Sequence, residues 1–278
     1  MNTKHREFTD LFSIILQKSI PNPQKNTYYS MKITIGKFQE LFEISNMNLL
    51  DAEKYHLMLK SYTGLDDNQF KKLTEKQISK LIFDINNVFS FITKDIKNIQ
   101  YKKRIFVNNK WYKLNYDITE YPNNTARYVE SITFADDFIR NLHKILASMT
   151  SRLELTYKGF KPVKSNVWNH EQVANDMLDV DFVTGYSSAV KFIYSIKNLN
   201  EKYKGLFDDG GDVEDNGKGF SKDYIWLFNA KSVAEFEQIS IDEVWELPII
   251  QFLNDLGYLK YKNKWDADKY KEITKKSR

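Results

Sequence analysis

Lys103-Arg-Ile-Phe-Val-Asn-Asn-Lys-Trp-Tyr-Lys-Leu-Asn-Tyr116 decides the fold class, because it breaks a helical chain with a change of period. Lys103 to Val107 and Lys110 to Tyr116 are rich in residues that favour strands. Between them stands Asn108-Asn109, a dipeptide that tolerates the left-handed backbone of a tight hairpin turn. The stretch predicts an antiparallel hairpin. Arg127 to Thr133 predicts a further strand. Thr133-Phe-Ala-Asp136 then opens a helix, which would bury Phe138, Ile139, Leu142, Ile145, Leu146 and Met149.

Upstream of the hairpin, Phe8 to Ile20 reads as an amphipathic helix and 28–34 as a strand. Ile35 to Ile44 follows as a helix with Thr34 as its N-cap. Asp51 is placed to cap a helix that ends near Gly64, a stop residue able to take positive φ. Thr74 and Gln77 match the capping-box pattern. They open a long helix with Ile78, Leu81, Ile82, Ile85, Phe89 and Ile92 at three- and four-residue spacing. Residues 1–150 therefore predict an α+β domain, a small antiparallel sheet packed by helices.

Residues 151–170 lack a clear period and contain Gly159 and Pro162, which predicts a linker or crossover. Residues 171–278 predict a mainly helical domain, with helices near 170–180, 184–204 and 222–238 and then a C-terminal pair. An acidic, Gly-rich loop at 208–221 interrupts it. Asp212 to Asp223 partly mimics a calcium loop, but position 8 is Gly219 and position 12 is Asp223, shorter than the usual bidentate Glu. A solvated loop is the expectation, and no metal or cofactor is assigned.

The C-terminal pair carries the clearest signals. Ser240 and Glu243 form a capping box. Pro248 ends that short helix and suits the start of the next. Ile249, Phe252, Leu253, Leu256 and Leu259 then make one apolar stripe, which either completes the core or enters a partner groove. Tyr258, Tyr261 and Trp265 continue at i, i+3 and i+7 among Lys260, Lys262 and Lys264. Aromatics of this kind anchor protein interfaces, and nucleic-acid stacking is the less favoured alternative. The predicted contact residues are Trp245, Phe252, Tyr258, Tyr261 and Trp265.

Composition bounds these readings. With 278 residues and 42% apolar content, the chain can fill one large core or two ordinary ones. Mean hydropathy is −0.55, as expected of a globular protein without a membrane-spanning segment. The absence of Cys excludes disulfides, thiolate metal sites and a Cys nucleophile. Net charge is +4, and residues 260–278 alone hold eight basic against three acidic side chains. His5, His56, His143 and His170 do not show the i, i+4 spacing of a helical metal pair, and no phosphate loop or nucleophile elbow is present. The expectation is a non-enzymatic protein.

Three segments carry a resemblance. They are Ile35-Gly-Lys-Phe-Gln-Glu-Leu-Phe-Glu-Ile44, Tyr128-Val-Glu-Ser-Ile-Thr-Phe-Ala-Asp-Asp-Phe-Ile-Arg-Asn-Leu-His-Lys-Ile-Leu-Ala147 and Glu246-Leu-Pro-Ile-Ile-Gln-Phe-Leu-Asn-Asp-Leu-Gly-Tyr-Leu-Lys260. They resemble proteins of tailed phages that infect Bacteroidetes-type bacteria, namely tail-assembly-chaperone-like proteins and the virion neck or ring components of the crAss-like group. The resemblance implies a morphogenesis protein in the host cytoplasm, retained in the virion if it is a ring component. Its partners would be other phage structural or tail proteins, or further copies of itself in a homo-oligomer or ring at the portal–tail neck.

Overall fold

Thr34, placed one residue ahead of a helical apolar stripe, accepts a hydrogen bond from the Lys37 amide at 3.3 Å and starts helix α1, Ile35–Asn46. A computed structural model describes residues 33–92, 101–120, 122–163, 170–207 and 224–276. The N-terminal helix Phe8 to Ile20, the bulk of the strand at 28–34 and the acidic loop 208–221 lie outside the described residues. The chain is α+β, and it forms two compact units. One comprises 1–102 with 172–187, and the other 103–171 with 188–278. The expected division at 150 is thereby replaced by one at the start of the hairpin.

In the first unit α1 is followed by α2 (Asp51–Thr63), α3 (Asp67–Phe70) and α4 (Glu75–Phe91). Gly64 ends α2 with φ +67°, as its position predicts. The α2 N-cap is Leu50 and not Asp51; its amide donates to the Glu53 carboxylate at 3.2 Å. Thr74 and Gln77 make the expected capping box of α4. Helix α4 buries Ile78, Ile82 and Ile85, as the spacing predicts, and also Val88 and Phe91, whereas the expected Leu81, Phe89 and Ile92 are only partly buried.

Parts of two later helices also belong to this unit: α7 (His170–Met177) from Gln172 onward, and α8 (Phe182–Lys202) as far as Ser187. Phe182 stacks on Phe38 at 3.9 Å between ring centroids, and Phe91 meets Phe182 edge-on at 6.0 Å. The turn between α7 and α8 is clasped to the start of α1. The Ile35 amide donates to the Val180 carbonyl, Gly36 to Leu178, and Phe182 to Ile33, at 2.8–2.9 Å. A Cβ at Gly36 would lie 3.3 Å from both the carbonyl oxygen and the Cβ of Leu178, so this approach favours glycine.

The second unit opens with the predicted hairpin, β1 (Arg104–Val107) and β2 (Lys110–Leu114). Asn108 and Asn109 have φ of +48° and +59°, the positive pair of a type I′ turn. Helices α5 (Thr125–Ala135) and α6 (Leu142–Met149) follow, then β3 (Thr150–Thr156) and β4 (Gly159–Pro162). The sheet is antiparallel throughout, in the order β1-β2-β3-β4. Pro162 falls on an edge strand, where a missing amide donor is tolerated.

Three expectations are corrected here. Residues 127–133 are helical and not a strand. The Asn124 side chain caps the Arg127 amide at 3.1 Å, and Thr125, Arg127, Tyr128 and Ser131 are buried at helical spacing. Residues 151–162 are strands and not a linker, because each pairs in register with its neighbour. The single helix expected from Thr133 is also divided: α5 ends at Ala135 and α6 begins at Leu142.

Helix α8 is held within this unit by polar contacts from the segment after β2. Tyr116 Oη lies 3.1 Å from Ser188 Oγ, and the Ile118 amide donates to Ser195 Oγ at 3.2 Å. The Tyr128 hydroxyl donates to Asn200 Oδ1 at 2.6 Å. Short α9 (Lys204–Phe207) follows. After residues 208–223 come α10 (Ile225–Glu237), α11 (Ile241–Glu246) and α12 (Ile249–Lys276). No helix among the described residues is long and apolar enough to cross a membrane.

Candidate protein-contact surface on the C-terminal helix

The Ser240–Glu243 capping box forms as its spacing predicts and starts α11. Pro248 breaks the chain after Leu247, and its carbonyl accepts from the Gln251 and Phe252 amides, so it caps α12 from one residue outside. The same break lets the Leu247 carbonyl point away from both helices. It accepts from both the Thr125 amide and the Thr125 hydroxyl, each at 2.9 Å, which ties the corner to α5.

The first two turns of α12 are core. Ile249, Phe252 and Leu253 are buried, Phe252 completely. The expectation that Phe252 meets a partner is therefore corrected: its ring is part of the unit's own packing. The next turns lie against α9 and α10. The Tyr203 hydroxyl donates to Asn254 Oδ1 at 2.8 Å, and Lys260 Nζ to the Gly205 carbonyl at 2.6 Å. Phe236 of α10 meets Tyr258 at 5.2 Å between rings.

Past Lys260 the packing stops. Residues 261–275 are all exposed. At 1.5 Å rise per residue that is roughly 22 Å of helix. It is not an all-polar segment. Tyr261 is 73% exposed and Trp265 57%, with Tyr270 and Ile273 exposed beyond them. Lys269 Nζ sits 3.9 Å from the Trp265 ring centroid, a cation–π contact one turn along. Of the predicted contact residues, Tyr258, Tyr261 and Trp265 share one exposed stripe. Trp245 is only partly exposed and lies on α11.

The sequence reading stopped at Trp265 and so missed Ile273, eight residues on and close to the same helical face. It also missed α10, which exposes Ile225, Leu227, Phe228 and Phe236. The burial of Ala230 and Val233 explains the division, since only that side of α10 is packed.

A polar cluster elsewhere in this unit was not visible in sequence, because its members come from three elements. Ser148 Oγ lies 3.1 Å from His170 Nε2 and 3.3 Å from Glu130 Oε2, and His170 Nε2 is 3.6 Å from that carboxylate. A nucleophile relay needs the carboxylate on the ring nitrogen opposite the serine. Here the carboxylate and the hydroxyl share one nitrogen, and Ser148 is fully buried. The geometry is that of a clasp joining α5, α6 and the first turn of α7. Nearby, burial and then the charges of Lys144 and His170 push His143 down to about 4. No group of three or more His, Asp or Glu among the described residues is arranged to hold a metal ion.

No family model matches the chain, and neither curated proteins nor solved structures yield a match.

Proposed function

We propose that this chain is a non-catalytic assembly protein that works by protein–protein contact, with the far half of α12 as its contact element. One observation carries this reading: residues 261–275 are helical and exposed throughout, yet they bear Tyr261, Trp265, Tyr270 and Ile273. A solvated helix end has no use for two tyrosines, a tryptophan and an isoleucine. Aromatic anchors flanked by charge are the usual make-up of an interface core and rim. The shared-nitrogen geometry of Ser148, Glu130 and His170 further favours a structural role over a catalytic one.

The setting we propose follows the resemblance to phage morphogenesis proteins. The helix would cover apolar surface on an unassembled tail protein in the host cytoplasm, until assembly displaces it. Mass spectrometry of purified virions and of infected cells tests this. Abundance in infected cells with absence from virions is the result expected of a chaperone. Stoichiometric copies in virions would make the chain a neck or ring component. Failure of the full chain to bind any tail or neck protein, or itself, would overturn the contact reading altogether.

A further inference from the structure

Most side chains on one face of the sheet are exposed, and the chemistry of that face is specific. Cross-strand register places Arg104 opposite Lys113, Phe106 opposite Trp111, Trp111 opposite Leu153, and Leu155 opposite Phe160. Residues paired across an antiparallel ladder point to the same side. These side chains therefore form one face, while Ile105, Val107, Tyr112 and Leu114 form the buried one.

The open face is aromatic. Phe106 is 55% exposed, and Trp111 and Leu155 are also exposed. Phe106 and Trp111 approach to 5.0 Å between centroids, and Trp111 and Phe160 to 5.2 Å. The last pair stands on strands separated by β3. Their rings lean toward each other across Leu153, which is buried, as is Ser151 opposite Lys113 on the same side. The Arg104 guanidinium lies 4.9 Å from the Phe160 centroid, although Arg104 is on one edge strand and Phe160 on the other. The side chains of this face thus converge on a short aromatic row. At its end the β3–β4 turn exposes Tyr157, with Lys158 Nζ 5.4 Å from its ring centroid.

The open face is also basic. Its strand cations are Arg104 and Lys113, with no acidic strand residue beside them, whereas Lys110, Arg152 and Lys161 lie on the other side, paired with Val107, Tyr112 and Glu154. Glu154 pairs with Lys161 and points to the other side of β3 from Leu153 and Leu155. Arg104 and Lys113 are directly opposed like charges, an arrangement that costs stability unless an anion lies between them. Exposed aromatic faces next to unopposed cations are what a single nucleic-acid strand requires. Bases stack on the rings and phosphates meet the cations. A duplex hides its base faces, so it gains little from a stacking row.

We propose that this face binds single-stranded nucleic acid, with Phe106, Trp111 and Phe160 stacking bases and Arg104 and Lys113 holding phosphate. It is independent of the α12 contact element.

Fluorescence anisotropy of labelled oligo(dT), oligo(U) and a mixed-sequence duplex, titrated with the full chain, tests it. Saturable binding of single strands at least about tenfold tighter than duplex is expected, with log affinity falling linearly as log salt rises. Phe106→Ala and Lys113→Glu, both exposed positions, should each weaken binding by about tenfold without lowering the thermal midpoint. Trp111 fluorescence should be quenched on binding; Phe106→Ala keeps this probe in place. Charge reversal at Lys262 and Lys264 should leave binding intact. Equal affinity for duplex, or loss on reversing Lys262 and Lys264 but not Lys113, would overturn the proposal. So would binding only to phosphatidylglycerol vesicles, or no binding to any probe.

Discussion

Arg127, buried in α5, donates through Nη1 to the Thr150 carbonyl at 2.8 Å, and so fastens a helix to the first residue of a strand. The same nitrogen reaches the Ser148 carbonyl and Asn123 Oδ1, both at 3.4 Å. Thr150 is where α6 ends and β3 begins, so the guanidinium neutralises carbonyls that the end of a helix leaves without partners. Arg127 is thus a joint between the helical and sheet parts of its unit.

Arg127→Ala should cost about 2–4 kcal/mol, because it strands buried carbonyls and opens a cavity. Urea unfolding should show a lower midpoint with little change of slope. Arg127→Lys should recover only part of the loss, since a single ammonium cannot reproduce the planar fork. A loss under about 0.5 kcal/mol would mean that water replaces the guanidinium and that the joint carries no load.

Those elements that were legible in sequence are governed by neighbours close in the chain. Thr74 with Gln77, Ser240 with Glu243, Gly64 and Asn108-Asn109 each specify a cap or turn within a few residues, and each forms. Residues 127–133 failed the same test. Their β-branched content favours a strand in isolation, and the burial of Tyr128 and Ser131 on a helical face outweighs it. Strands β3 and β4 were missed because Tyr157-Lys158 is a weak turn signal; the positive φ of +99° falls on Gly159, just after it. On α12 the i, i+3, i+7 spacing revealed the aromatic stripe. Spacing does not reveal where packing ends, and so it could not separate buried Phe252 from exposed Trp265.

The hairpin turn offers a test of local strain. Asn109 takes φ +59°, a conformation that costs a β-branched residue heavily and glycine little. Asn109→Gly should be neutral or stabilise by about 0.5 kcal/mol, and Asn109→Val should destabilise by about 1–2 kcal/mol. Differential scanning calorimetry of both variants checks the order. Equal midpoints would show that the turn relaxes freely and that cross-strand pairs alone hold the register.

His143 predicts a dependence on pH. Its ordinary value is 6.5, and burial holds it near 4 in the folded chain. On acidification the unfolded chain therefore takes up this proton first. The stability tied to neutral His143 is complete above about 6.5 and is lost as pH falls from there through about 4. The ring is partly exposed, so the effect is about 1–2 kcal/mol. His143→Gln should lose about that much less than the parent between pH 7 and pH 4, measured by urea midpoints. Parallel losses in the two proteins would place the titration elsewhere.

Phe252 and Trp265 lie on one helix, thirteen residues apart, and should behave in opposite ways. Phe252 is enclosed, so Phe252→Ala should cost about 3–5 kcal/mol through lost burial and the cavity it leaves. Trp265 touches its own Lys269 and is open to water, so Trp265→Ala should move stability by no more than about 0.5 kcal/mol. The loss should appear instead in association, measured by sedimentation of the full chain alone and with its partner. Hydrogen exchange adds a second readout. Amides near Phe252 should exchange only on global unfolding, and those beyond Tyr261 much faster, because a helix of this length has little stability without packing. Partner binding should slow the second group alone. A Trp265→Ala variant destabilised by 2 kcal/mol or more would mean that this half of α12 packs on the protein itself, and the contact role would then have to move to another surface.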